Sequence, residues 1–326
     1  MIKINFSDFW PGFESNNLFL EFLEQNFPVK ICDNPDYLIY SVYGTKHLNY
    51  EKAVKILYTG ENLVPDFNLC DYAMGFHHLE FGDRYMRYPL YAYYQRYYSK
   101  VYGQEIDRAQ GSSGNESLTY RKFCNFVYSN NVNSDPVRDQ FFRELSNYKK
   151  VDSGGRHLNN IGGPVKDKLS FIKDYKFTIA FENSSVPGYT TEKLLEPIIV
   201  NSLPVYYGNP LINIDFIPDS FILLSDRNDI KRVIDEIVAL DNDDQKYLAI
   251  LNKKKFTDYN CVEKWEERLR MFFENIFSQP LNSAFRRPVF GFNNFYVGEL
   301  KLQSELLARR KHLNSAKVWI KKLIGR

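Results

Sequence analysis

The sequence predicts an α/β protein of two domains, each a parallel sheet flanked by helices, and three observations carry that expectation. Short apolar runs alternate with amphipathic helical stretches along the chain, the order of successive βαβ units. At 326 residues the chain is longer than one hydrophobic core comfortably serves. Residues 175–210, YKFTIAFENSSVPGYTTEKLLEPIIVNSLPVYYGNP, hold one unit complete: an apolar strand, a polar loop, a helical segment from Thr191 and a second strand at 203–207. That loop leaves the carboxyl end of a strand and feeds a helix N-terminus, where free backbone N–H groups favour an anion and where open α/β sheets collect their ligands.

Composition bounds the alternatives. With 44% hydrophobic residues, 25% charged residues and a net charge of +2, the chain is globular rather than disordered. The 24 Tyr and 26 Phe are dense; aromatic faces can stack on sugar rings, but most fill cores. Cys32, Cys70, Cys124 and Cys261 lack CxxC spacing, so neither a zinc site nor a disulfide framework is indicated, and a reducing compartment is expected. The start, MIKINFSDFW, has none of the features of a signal peptide, and no run of ~18 apolar residues offers a membrane span.

In chain order, 2–6 alternates as an opening strand, 16–27 has helical spacing through Leu18, Leu20, Phe22 and Leu23, and 37–43 is a second strand. Residues 56–58 form a third, running into Thr59-Gly60-Glu61-Asn62 after its carboxyl end. Tyr91, Tyr94 and Tyr98 within 83–100 suit a helix packed on the sheet better than a sugar platform. Residues 103–118 lose the apolar pattern and gather Gly and Ser, which places the first domain at 1–117. A second domain, 118–285, opens with the strand of KFCNFVYSNN; Asp135-Pro136-Val137-Arg138 then starts a helix, Pro136 suiting its first turn. Residues 151–164 carry two glycine pairs without a phosphate-loop pattern and read as a mobile connection. Pro197 requires the helical segment from Thr191 to be kinked or very short. FILLS and IKRVIDEIVAL continue the strand and helix alternation, and Asp241-Asn242-Asp243, falling between two helical patterns, reads as a polar turn. The five histidines are scattered, and no metal centre is expected.

FENS, then GY-x-TEK, then the PVYYG strand closely resembles the donor-binding signature of the α1,3/4-fucosyltransferases, glycosyltransferase family ten. YTGEN at 58–62, FNLCDYAMGF at 67–76, DRYMRYPLY at 83–91 and FVYSNN followed by Arg138 extend the resemblance over about 55–225, and the chain looks most like the compact bacterial members. Animal relatives carry an acidic residue where Gly188 stands, and a Golgi anchor that is not expected here. The resemblance implies a GT-B type fold, two Rossmann-like domains facing a central cleft, with acceptor bound mainly by the first and GDP-fucose by the second. It implies inverting transfer of L-fucose to the 3-hydroxyl, or the 4-hydroxyl, of N-acetylglucosamine in a lactosamine-type glycan, giving a Lewis-antigen-like product. GDP-fucose is then a substrate, and neither a cofactor nor an essential metal is expected.

Residue by residue, Glu61 by itself is as readily a solvated turn acid, but it matches the family's proposed general base. Arg138, otherwise an exposed helical arginine, matches the diphosphate-binding arginine, whose fork suits phosphate oxygens. Lys193, at a helix start, is placed to neutralise the same diphosphate. Glu192 is implied to accept ribose hydroxyls, Asn183 suits a sugar hydroxyl or a turn, and Tyr189 is assigned to the diphosphate or guanosine end. Two other classes stay open: a transferase of this fold using another nucleotide sugar, and a non-catalytic glycan-binding protein, which would need neither Glu61 nor the TEK segment.

The C-terminal segment, 286–326, ends in a basic stretch. Residues 301–326 hold eight Lys or Arg and one acid, Glu305, or +7 against a chain total of +2. Leu302, Leu306, Leu313, Ala316, Ile320 and Leu323 fall near one helical face with Trp319 at its border, so peripheral contact with an anionic membrane is expected, set against a helix packed back on the body. Nucleic acid is not an expected partner, since no recognised binding fold accompanies the charge. The expected location is cytoplasmic, at the inner face of a bacterial membrane.

Overall fold

The computed structural model describes residues 1–102 and 116–323, with backbone alone for 102, 116 and 311–323. Two compact units emerge, one of Met1–Met74, Glu80–Met86 and Arg270–Arg326, the other of Gly75–Leu79 and Arg87–Leu269.

In the first unit, β1 (Ile2–Ser7), β2 (Val29–Ile31), β3 (Tyr37–Tyr40), β4 (Val54–Tyr58), β5 (Tyr72–Gly75) and β6 (Tyr85–Arg87) form a sheet in the order β2-β1-β3-β4-β5-β6. The pairings from β2 through β5 are parallel, with Ile4 opposite Tyr37 and Ile56 opposite Tyr72. Helix α1 (Leu18–Asn26) joins β1 to β2. It starts where Asn17 accepts a hydrogen bond from Leu20 N at 2.9 Å, buries Leu18, Phe19, Phe22 and Leu23, and stops before Pro28.

In the second unit, α2 (Leu90–Tyr102) precedes β7 (Lys122–Phe126), α3 (Val137–Ser146), β8 (Val151–Ser153), α4 (Lys168–Ile172), β9 (Tyr175–Phe181), α5 (Glu192–Ile199), β10 (Leu203–Tyr207) and β11 (Ile222–Leu223). Helices α6 (Ile230–Asp241), α7 (Asp244–Leu251) and the start of α8 (Val262–Ser278) complete it. Its sheet is parallel in the order β11-β10-β9-β7-β8, and every residue of the central strand β9 is buried. Counted from its own first strand, each sheet contains the doubly wound order 2-1-3-4-5. Such a sheet reverses direction beside its first strand, where neighbouring loops diverge into a crevice. The reversal lies between β1 and β3 in the first unit and between β7 and β9 in the second.

The compact units divide the chain elsewhere than at the expected boundaries of 117 and 285. Helix α2 belongs to the second unit, where Tyr91 packs on Phe216 and Trp265 with ring centroids 5.1 and 5.9 Å apart, and where the Tyr98 hydroxyl donates to Glu196 at 3.0 Å. The end of α8, α9 (Leu281–Ala284) and α10 (Phe292–Leu323) return to the first unit, tied by Arg287 to Asp71. Of the Gly- and Ser-rich stretch that set the expected boundary, residues 103–115 lie outside those described.

Candidate active site

At the reversal point of the second sheet a cavity of about 380 Å³ is lined by residues 127–130 after β7, by Gly154 and Gly155 after β8, by 164–166 and Lys168, and by Arg138, Asn183, Glu192 and Lys193. Four of the six expected site residues therefore line one cavity.

Arg138 is 1% exposed, not the surface arginine its helical position alone suggests. Its guanidinium lies 4.0 Å above the ring of Tyr128 and donates through Nη2 to Phe181 O at 3.2 Å and to Asn183 Oδ1 at 2.8 Å. The Asn183 oxygen is thus engaged, and its amide NH₂ is what it can offer a ligand. The Asn183 carbonyl accepts from Asp135 N at 2.8 Å, and the Asp135 carboxylate accepts from Tyr207 at 2.9 Å, so the loops after β7 and β9 are tied together.

The TEK segment starts at Thr191, whose side chain caps α5 by accepting from Lys193 N at 3.4 Å. Helix α5 is only eight residues long, and Pro197 sits in its last turn, the short-helix resolution of that proline. Lys193 Nζ approaches Glu182 and Glu192 at 3.4 Å each, and Thr191 Oγ1 at 3.1 Å. Burial pushes the Lys193 pKa down, but those two carboxylates outweigh it and hold the ammonium well above its ordinary value. Burial likewise pushes Glu192 up, yet Lys193 and Lys168 prevail and lower it, so Glu192 offers ionised acceptor oxygens. Lys168 in turn pairs with Glu196, whose carboxylate takes the Tyr98 hydroxyl. The charges thus pair as Lys193 with Glu182 and Glu192, and Lys168 with Glu196.

Tyr189 does not line the cavity. It is 2% exposed and its ring packs on Phe76 at 4.9 Å, because Gly188 before it turns the chain inward at φ +85°, where a Cβ would overlap the Phe76 carbonyl oxygen. The glycine-rich stretch 151–164, expected to be a mobile connection, is instead pinned. Gly154 N donates to Phe126 O and His157 N to Tyr128 O, both at 2.9 Å, and a Cβ on Gly155 would overlap Tyr128 O. Sequence reasoning also passed over Glu182 and Tyr128. Glu182 is 0% exposed and accepts Thr191 N at 2.7 Å and Thr191 Oγ1 at 2.8 Å, which orients the start of α5. A carboxylate directly after a fully apolar strand, and an aromatic at the end of its neighbour, were the available signals.

Asp241 and Asp243 perform separate structural tasks. Asp241 pairs with Lys149 at 3.0 Å and Lys176 at 3.2 Å, while Asp243 caps α7 by accepting Lys246 N at 3.1 Å. Among the described residues no group of three potential metal ligands occurs.

The first unit has its own cavity at its reversal point, about 880 Å³, lined by the loops after β1 and β3, including Asp8, Trp10 and Tyr43. The Asp8 carboxylate joins the two loops by accepting Lys46 N at 3.0 Å and His47 N at 2.8 Å. Glu61, the sixth expected residue, is exposed just after β4 and accepts the Tyr43 hydroxyl at 2.5 Å through one carboxylate oxygen.

Comparison with known proteins follows the same division. The family model described as the α-(1,3)-fucosyltransferase FucT N-terminal domain matches residues 4–94, and that of glycosyltransferase family 10 (fucosyltransferase), C-terminal part, matches 119–278. The chain is 32% identical over 287 residues to the α-(1,3)-fucosyltransferase FucT of Helicobacter pylori, covering 77% of this chain and 59% of that protein, so it spans less than two thirds of that relative. It is 34% identical over 146 residues to GDP-fucose protein O-fucosyltransferase 3 of Danio rerio, covering 40% of this chain and 32% of that one. An α1,3-fucosyltransferase crystal structure superposes with a TM-score of 0.70 at 26% identity, covering 89% of this chain and 93% of the other. The crystal structure of an α1,3-fucosyltransferase with GDP-fucose gives 0.65 at 27%, covering 84% and 90%. With both parts of one family met in order along the chain, and with the α/β architecture of the GT-B type shared, the protein belongs to glycosyltransferase family 10, the fucosyltransferases.

Proposed function

We propose that the chain transfers L-fucose from GDP-fucose to an acceptor hydroxyl, as an inverting α1,3-fucosyltransferase. The convergence of Arg138, Lys193 and Glu192 on the cavity between β7 and β9 carries this reading, because a nucleoside diphosphate needs cations for its phosphates and an acceptor for its ribose hydroxyls. Relatives whose names specify either an α-(1,3)-linked product or a protein acceptor share the fucose donor, so the donor is the better supported half. On the acceptor side we infer the 3-hydroxyl, or the 4-hydroxyl, of N-acetylglucosamine in a lactosamine-type glycan, with a Lewis-type product. Glu61 takes the proton of that hydroxyl while its oxygen attacks the anomeric carbon and the bond to GDP breaks. Arg138 and Lys193 neutralise the departing diphosphate, the electrostatic task a metal performs elsewhere, and no metal is needed in this reading.

The test has two arms. GDP should bind and UDP should not, which separates this donor from other nucleotide sugars. Glu61→Gln should keep GDP-fucose affinity and lose turnover by ~10²–10⁴-fold, the usual worth of a general base. Near-normal turnover in that variant would return Glu61 to a turn acid, and sugar binding without turnover in the parent would leave a glycan-binding protein. Activity that vanishes with EDTA and returns with Mn²⁺ would overturn the metal-free reading.

For location we infer a cytoplasmic protein held peripherally at an anionic membrane by its tail. Support comes from four free cysteines, from a helix that continues to Leu323, and from Phe290, Phe292 and Phe295 exposed at 88%, 87% and 74%. No described helix is long and apolar enough to cross a membrane.

A further inference from the structure

A second basic site lies in the first unit, on residues that the fucosyl-transfer reading does not use. Lys55, in the middle of the sheet on β4, is 4% exposed, and its side chain lines a cavity of about 150 Å³ with Arg287, Lys301, Asn293 and Asn294. That is about ten times the least volume that holds one water.

The charges around Lys55 do not balance. Asp71 is fully buried and accepts Lys55 N, Arg286 N and Arg287 N at 2.7 Å each, together with Arg287 Nη1, which fills its four acceptor positions. Glu51 pairs with Lys301. Arg287 also donates to Ala53 O at 3.0 Å and Glu51 O at 2.7 Å, so its fork is occupied. Three cations therefore face two carboxylates, and the unmatched cation is the buried one. None of the described residues hydrogen-bonds Lys55 Nζ. A buried charge without a partner is costly, and an anion in the adjoining cavity is the natural compensation.

The rest of the lining suits such a ligand. Asn293 and Asn294 stand in the first turn of α10, a helix N-terminus that favours negative charge, and Lys301 lies two turns further on. Pro288, Val289 and Val297 add an apolar border that can take the carbon skeleton attached to an anionic head. We propose that this cavity binds a phosphate group, carried by a soluble phosphate ester or by a lipid headgroup, with Lys55 at its floor and Lys301 and Asn294 at its rim. Burial and Arg287 depress the Lys55 pKa to about 8, Asp71 and Glu51 opposing them and Lys301 adding to them, so the lysine is largely charged at neutral pH and ready for an anion.

Thermal melting of the full chain in phosphate against chloride at equal ionic strength tests the proposal. Phosphate should raise Tm in the parent and also in Arg138→Ala, which impairs the other cavity with phosphate-binding character; it should raise Tm less in Lys55→Met, whose turnover should match the parent, and not at all in Arg138→Ala/Lys55→Met. Should Lys55→Met fail to fold, the double variant Lys301→Ala/Asn294→Ala at the exposed rim should bind phosphate roughly tenfold more weakly or worse. In the parent the phosphate effect should fade as pH rises above about 8. Glycerol phosphate reproducing the shift identifies a soluble ester. Weaker sedimentation of Lys55→Met than of parent with phosphatidylglycerol vesicles, and not with phosphatidylcholine vesicles, identifies a lipid, since both proteins keep the same tail. Equal phosphate responses in the parent and Lys55→Met, or no response in the parent, overturn the proposal.

Discussion

Lys193 is both an ion-pair partner and the cation proposed to meet the diphosphate, and these roles make different predictions. Lys193→Ala and Arg138→Ala should each weaken GDP binding by about 1.5–3 kcal/mol, the loss of one charge-assisted contact. Isothermal titration checks this, and an unchanged affinity would leave Lys193 only as the ion-pair partner of Glu182 and Glu192. Lys193→Ala should also lower Tm, because it strands the buried Glu182 carboxylate. Lys255 supplies a pH-dependent counterpart away from the site. It is 4% exposed, donates to Ser220 O at 2.6 Å and Ile250 O at 3.0 Å, and burial, aided by Lys253, depresses its pKa to about 7. Between that value and the ordinary value of 10.5 the unfolded chain binds more protons than the native one, so stability should rise with pH across this window. The rise attributable to Lys255 is on the order of a few kcal/mol. Urea unfolding at pH 6.5 and pH 9 should show that increment in the parent and its loss in Lys255→Met; equal increments would mean that Lys255 titrates normally.

Among the elements, the loop after β8 holds the floor of the cavity between β7 and β9 by close approach, and that is where its glycines matter. Gly155 passes so near the Tyr128 carbonyl that no side chain fits, and Tyr128 carries Arg138 on its ring. Gly155→Ala should therefore displace Tyr128, costing about 2 kcal/mol or more as overpacking does, and should weaken GDP binding as well. Melting and GDP titration measure the two effects. A variant that melts and binds as the parent does would mean that the loop can shift without moving Arg138. Helix α5 depends less on its own length than on its first turn: Thr191 caps it, Glu182 orients the cap, and Pro197 lies close enough to the end to be tolerated.

On the scale of the whole molecule, the tail is the segment whose role is open to direct test. Residues 301–310 are part of the first unit, since Lys301 pairs with Glu51 and Ser304 lies 2.6 Å from Thr45, while the side chains of 311–323 lie outside those described. A truncation that tests the tail therefore belongs after 310. Removing 311–326 should leave turnover on soluble acceptors intact and abolish salt-sensitive sedimentation with anionic vesicles, each basic residue near the surface contributing ~1 kcal/mol. A parent that does not sediment at low salt, or a truncated chain that unfolds, would make the tail structural.

What could be read from the sequence is whatever neighbouring residues determine among themselves. The strand of 177–181, the helical start at Thr191 and the limit that Pro197 puts on that helix, kinked or very short, are set by a short apolar run, by the polar loop before it and by one missing N–H; the structure chose the short helix. Arg138, Asn183, Glu192 and Lys193 were legible as candidates because the FENS and TEK segments carry their spacing. Tertiary structure alone decided which of them share a cavity, since Arg138 and Asn183 are 45 residues apart and meet only because β7 and β9 are neighbours. Tertiary packing likewise buried Arg138, set Tyr189 on Phe76, gave α2 to the second unit and brought Arg287 to Asp71 across 216 residues. Local pattern specifies a strand and its faces, whereas a buried charge finds its partner only after the strands have chosen their neighbours.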